Sequence, residues 1–114
     1  VIRTKSFEEF VQRGIAKRVN IDKERAKSLF AESRRKALFL KEVLEKVGVK
    51  NENANDYVEW CYDTLMYLIR ARLYLDGYST NGLGAREAEI SYLLELKVNE
   101  REVQFINHIR YFRK

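Results

Sequence analysis

The residues best suited to chemistry gather at the end of this chain. His108, Arg110, Arg113 and Lys114 all fall in the final segment, on a pattern that reads as a helix. Arg110 and Arg113 stand three apart, so on a helix their guanidinium groups share a face and can grip one phosphate or two neighbouring ones. The same cations also suit the negative end of a helix dipole, and spacing alone does not separate these two roles. No Gly, Asn or Pro follows, so the pattern predicts a last helix cut before its natural stop.

Other chemistries find less support. A catalytic zinc site takes three protein ligands, and this chain has one His and one Cys, more than a helix apart. No metal and no cofactor is expected. A serine nucleophile would need a base and an orienting group, and His108 is the lone imidazole. Cys61 sits among apolar helical neighbours and reads as a buried, inert thiol. The acid pairs Glu87 with Glu89 and Asp56 with Glu59 read as solvated helix surface. Gly77 and Gly82 echo the spacing of a phosphate-binding loop, but no Lys followed by Ser or Thr comes next, so residues 77–84 read as a flexible connector.

The elements that must position these groups are helical. The chain has 114 residues, no Pro, five Gly, 46% hydrophobic and 34% charged residues, a composition that favours one domain built of long helices. The fold class is all-α, an antiparallel up-and-down bundle of four main helices with a short N-terminal helix. Ser6 with Glu9 forms a capping box for that first helix, whose apolar stripe is Phe7, Phe10, Val11 and Ile15. A second helix starts at Asp22 and stops at Gly48, with Phe30, Ser33, Ala37, Leu40, Leu44 and Val47 at seam spacing. Glu32 with Lys36 and Glu42 with Lys46 are acid-before-base pairs on its outer face.

A third helix runs from Asn53 or Asn55 to about Asp76. The residues expected to be largely buried between these two helices are Phe30, Ala37, Leu40, Leu44, Cys61, Leu65 and Leu68. Trp60, Tyr67 and Tyr74 recur every seven residues on another face, which suits either the edge of a core or an intermolecular surface. A fourth helix covers about Ala85 to Leu96 with Ile90, Leu93 and Leu94 inward, and a fifth pattern starts at Asn99.

Charge is segregated along the chain. The formal net charge is +5, and Lys plus Arg against Asp plus Glu run 14 to 8 over residues 1–52, 4 to 8 over 53–100 and 4 to 1 over 101–114. Such a pattern permits a positive surface facing phosphate. No apolar run approaches the length of a membrane span, and the expectation is a cytoplasmic protein with no membrane contact.

Residues 55–114 resemble the HEPN domain, particularly its stand-alone archaeal and bacterial members. The resemblance lies in Tyr57-Val58-Glu59-Trp60-Cys61-Tyr62-Asp63-Thr64-Leu65, then Arg70 to Tyr78, then Glu89 to Leu93, then Glu102 to Arg113. Arg113 matches the family's signature Arg. Lys114 stands where Asn is common, and His108 precedes that Arg and does not match the signature His that follows it. The resemblance implies a homodimer with two signatures at a shared cleft. It further implies RNA or nucleotide binding, with Arg113 catalytic and Arg110, Arg113 and Lys114 on phosphate, His108 being accessory. Active members cleave RNA without metal, as toxin-type ribonucleases; others are non-catalytic partners of a small nucleotidyltransferase.

Overall fold

The computed structural model of the chain describes residues 5–96. Among them are four helices and one small antiparallel sheet: α1 (Phe7–Gln12), β1 (Ala16–Arg18), α2 (Lys23–Val47), α3 (Ala54–Asp76), β2 (Tyr78–Thr80) and α4 (Ala85–Glu95). The fold is a mostly helical bundle.

Each start and stop has a local cause. The Ser6 hydroxyl accepts the Glu9 amide at 3.4 Å, and the Asp22 carboxylate accepts the Arg25 amide at 2.9 Å, so both helices open on a side chain that satisfies an otherwise unpaired N–H. Helix α1 stops sooner than its apolar stripe implies, because the chain turns at Gly14 (φ +75°) and becomes β1. Asn53 lies at the start of α3 but does not cap it. Its side chain accepts from the Lys50 amide at 2.7 Å and donates to the Gly48 carbonyl at 3.1 Å, which also receives the Tyr57 hydroxyl at 2.9 Å, so Asn53 and Tyr57 lock the turn between α2 and α3.

Helices α2 and α3 form the long antiparallel pair that the sequence predicts. Ser33 Oγ donates to the Thr64 carbonyl at 3.0 Å, Phe39 meets Trp60, and the Asp22 amide reaches the Tyr74 carbonyl at 3.2 Å, so numbers fall on α3 as they rise on α2. The seam itself is narrower than expected. On α2 it is Ala26, Ser33 and Leu40, seven residues apart, and these are the helix's buried residues.

Four of the seven residues expected inside are exposed: Phe30, Ala37, Cys61 and Leu68, with Leu44 and Leu65 half-buried and only Leu40 buried. The reason is topological. Helix α2 packs chiefly against α3, while α4 and β2 pack on the other side of α3, where Tyr62, Met66, Ile69 and Leu73 lie, and α1 joins the same core through α4 and β1. A helix with one neighbour buries one stripe, so the flanks of the hairpin stay in water.

The connector at 77–84 is also not the free loop predicted. Tyr78–Thr80 pairs with Ala16–Arg18, Ala16 opposite Thr80, and the ladder is extended by Val19 N–H to Gly77 C=O at 2.8 Å and Asn81 N–H to Ile15 C=O at 3.1 Å. Three-residue strands are too short to show an alternating pattern. Beneath the sheet Phe7, Tyr78 and Tyr92 pack as a ring cluster, with Phe7 centred 4.6 Å from Tyr92 and 5.1 Å from Tyr78.

The seam makes a direct expectation for stability. Leu40→Ala should cost about 2–5 kcal/mol in urea denaturation, and the exposed Leu68→Ala under about 1 kcal/mol. A Leu40→Ala loss below about 0.5 kcal/mol would remove the α2–α3 seam as a source of stability.

Candidate nucleic-acid interface

Arg110, Arg113, Lys114 and His108 lie outside the described residues. Within them, one set of cations and aromatics lies along a flank of the α2–α3 hairpin, apart from Arg18 over Tyr78 at the small sheet. Trp60, Tyr67 and Tyr74 recur at seven residues on α3, so the helical rise sets them roughly 10 Å apart along one edge. Each is met from α2. Phe39 approaches Trp60 with ring centroids 6.2 Å apart, the Lys36 ammonium sits 5.5 Å above the Tyr67 ring, and the Arg25 guanidinium sits 4.9 Å above Tyr74. Rings and cations therefore form a ladder, each cation held over a π-face that attracts it.

At the Trp60 end the ladder opens into a groove of about 210 Å³ lined by Arg35, Lys36, Phe39, Trp60, Asp63 and Thr64. Trp60 remains 39% exposed and Phe39 54%, so the ring faces there are accessible for stacking. Arg35 is tied to Glu32, which takes Nε at 3.1 Å and also Nη2, leaving Nη1 for another acceptor. The hydrogen bond from Arg35 lowers the Glu32 pKa, against a smaller effect of burial, and the charges of Arg35 and Lys36 act in the same direction. This pairing corrects the expected Glu32–Lys36 bridge: Lys36 turns to Tyr67 instead. Glu42 and Lys46 do pair as expected, at 2.8 Å.

Two further polar contacts hold α3 to α4. Glu89, expected on the surface, is 3% exposed and accepts Arg70 Nε at 2.5 Å. It turns inward because α4 is buried along most of its length and Arg70 is the cation that meets it there. Burial alone would pull the Arg70 pKa down, but the hydrogen bond and charge of Glu89 outweigh it and hold the guanidinium above its ordinary value. The Tyr92 hydroxyl donates to Asp76, which Arg72 also contacts at 3.0 Å; burial and then this hydrogen bond push the Tyr92 pKa up. A small recess of about 70 Å³ beside Arg70 and Glu89 is lined by Tyr74, Tyr78 and Thr80.

Cys61, expected inside, is exposed on the opposite flank. Asp56 and Glu59 are on the surface as expected. Among the described residues no three His, Cys, Asp or Glu side chains cluster so as to hold a metal ion, and no helix is long and apolar enough to cross a membrane. The sequence singled out Trp60, Tyr67 and Tyr74 but missed Lys36, Phe39 and Arg25, which join them only through the antiparallel register.

The chain matches no family model, no curated protein and no solved structure. The resemblance to the HEPN domain therefore rests on the residue pattern alone.

Removing the Glu89 carboxylate leaves a half-buried guanidinium without its counter-charge. Glu89→Ala should destabilise the chain by about 3 kcal/mol in denaturant titration, and Arg70→Leu with Glu89→Leu together should cost much less, because no charge then stays unpaired.

Proposed function

We propose that this chain is an HEPN-like RNA- or nucleotide-binding domain. The observation that carries the reading is the ladder of Trp60, Tyr67 and Tyr74 interleaved with Lys36 and Arg25 and opening at Phe39 and Arg35. Single-stranded nucleic acid is bound by this combination, bases stacking on rings while cations track the phosphates, without need for a sequence code. The basic excess of residues 1–52 adds attraction at longer range, since α2 supplies most of these cations.

The ribonuclease form of the proposal adds Arg113 as the catalytic phosphate-binding group, helped by Arg110 and Lys114, at a cleft shared by two copies. The resemblance supplies that role, and the chemistry asked of Arg113 is a two-pronged grip on the scissile phosphate. The alternative keeps binding without cleavage, with a small nucleotidyltransferase as partner. Lys114 stands where Asn is common in the family.

Binding is directly readable because Trp60 is the single tryptophan. Titration with a single-stranded oligoribonucleotide should change its fluorescence, and Trp60→Ala should weaken binding by about 1–3 kcal/mol, the value of one stacked base. Lys36→Ala should lower the slope of log affinity against log salt by about one unit. Arg113→Ala should abolish RNA cleavage without lowering Tm. Unchanged affinity in both Trp60→Ala and Lys36→Ala would remove the ladder as the binding surface, and retained cleavage in Arg113→Ala would remove the catalytic assignment.

A further inference from the structure

The flank of the hairpin away from the aromatic ladder carries three rows of side chains, each spaced by seven residues. On α2 one row is Phe30, Ala37 and Leu44, of which Phe30 is 54% exposed. On α3 the facing row is Cys61, Leu68 and Leu75, with Leu68 39% and Leu75 42% exposed. The register that sets Ser33 against Thr64 and Phe39 against Trp60 brings Phe30 level with Leu68 and Ala37 level with Cys61. The small side chains at the second level leave a shallow trough between the helices. Outside the α2 row runs the third, Lys27, Arg34 and Lys41, all exposed and, among the described residues, none engaged by a carboxylate, a ring or a hydrogen-bond acceptor.

Two apolar rows at heptad spacing form the receiving side of a coiled-coil-like contact, in which a third helix lays its own apolar stripe between them. The basic row on one edge then specifies what stands beside that stripe. We propose that this flank docks an amphipathic helix of a partner protein, with apolar heptad positions flanked by Glu or Asp facing Lys27, Arg34 and Lys41.

Charge decides between occupants. A second copy apposed through the same flank brings no acidic row among the described residues: its α2 edge is the same basic row, and its α3 edge offers Arg72, already bonded to Asp76. The chain's own residues 101–114 hold four basic residues to one acidic, the wrong sign for this edge. A partner with acidic flanks satisfies three cations that have no partner among the described residues and covers Phe30 and Leu68 at once. This surface is separate from the aromatic ladder, so the proposal stands or falls apart from nucleic-acid binding.

The test uses the full chain and two designed three-heptad peptides, identical in their Leu core positions, one flanked by Glu and one by Lys. In fluorescence anisotropy the Glu peptide should bind, with the Lys peptide about tenfold weaker or worse. Leu68→Glu should abolish binding of the Glu peptide while Tm is kept, and Arg34→Glu with Lys41→Glu should reverse the preference between peptides. Trp60→Ala should leave peptide binding unchanged. Equal binding of the two peptides, or binding of neither, overturns the proposal. So does sedimentation in which Leu68→Glu turns a dimer into a monomer, which would give the face to a second copy. Cys61 that reacts with a maleimide as slowly as a buried thiol at high dilution would give the face to the chain's own tail, and overturns the proposal as well.

Discussion

Helix α3 must satisfy neighbours on two sides, and the rest of the molecule follows from how it divides its surface between them. Toward α1, β2 and α4 it turns Tyr62, Met66, Ile69 and Leu73, all nearly without solvent contact. Toward α2 it turns Tyr57, Thr64 and Ala71, spaced by seven and smaller toward the C-terminal end of the helix. That second face meets Ala26 and Ser33, also small, so the two backbones approach closely enough for the Ser33 hydroxyl to reach the Thr64 carbonyl at 3.0 Å. A seam of small residues is necessarily narrow. The large side chains of α2 are thereby displaced to its flanks, which is why Phe30 and Phe39 are each 54% exposed on a helix whose periodicity suggests a broad core.

The two flanks differ in chemistry, and that difference organises the functional reading. One flank has aromatic rings held under cations; the other has apolar side chains, Phe30 and Leu68 among them, bordered by cations with no partner among the described residues. Both draw on the basic character of α2, since a helix with one neighbour leaves most of its circumference to water, where Lys and Arg are easily accommodated. Two acidic residues of α3 and α4 are used otherwise. Glu89 meets Arg70 and Asp76 meets Tyr92 between α3 and α4, while Arg72 bonds Asp76 within α3.

The small sheet ties the N-terminal segment to the connector before α4. Gly77 ends α3 in the left-handed region (φ +85°), and a Cβ there would stand 3.1 Å from the Val19 carbonyl oxygen. That carbonyl belongs to the residue whose amide bonds back to Gly77, so the close approach is what allows the ladder to begin directly at the helix end. The same junction brings Tyr78 over Phe7 and Tyr92, joining α1, β2 and α4 through one aromatic cluster.

The sequence by itself determined the helices of the described region and several of their ends, though not the early stop of α1 or the uncapped start of α3. Ser6 and Asp22 cap, Gly48 and Gly77 stop, and the lengths and antiparallel pairing of α2 and α3 follow from the short polar turn between them, because such signals act within a few residues of where they are read. It also marked Trp60, Tyr67 and Tyr74 as a row. What it could not determine was which rows would be covered. A heptad pattern shows that side chains share a face but not that another element lies against it, so Phe30, Ala37, Cys61 and Leu68 looked like core and stand in water. Glu89 looked like surface and is buried, because its partner Arg70 lies on another helix. The strand at Tyr78–Thr80 looked like loop, since its hydrogen-bonding partner is the distant segment Ala16–Arg18. In each case the deciding contact joins residues far apart in the chain, and only the tertiary structure brings them together.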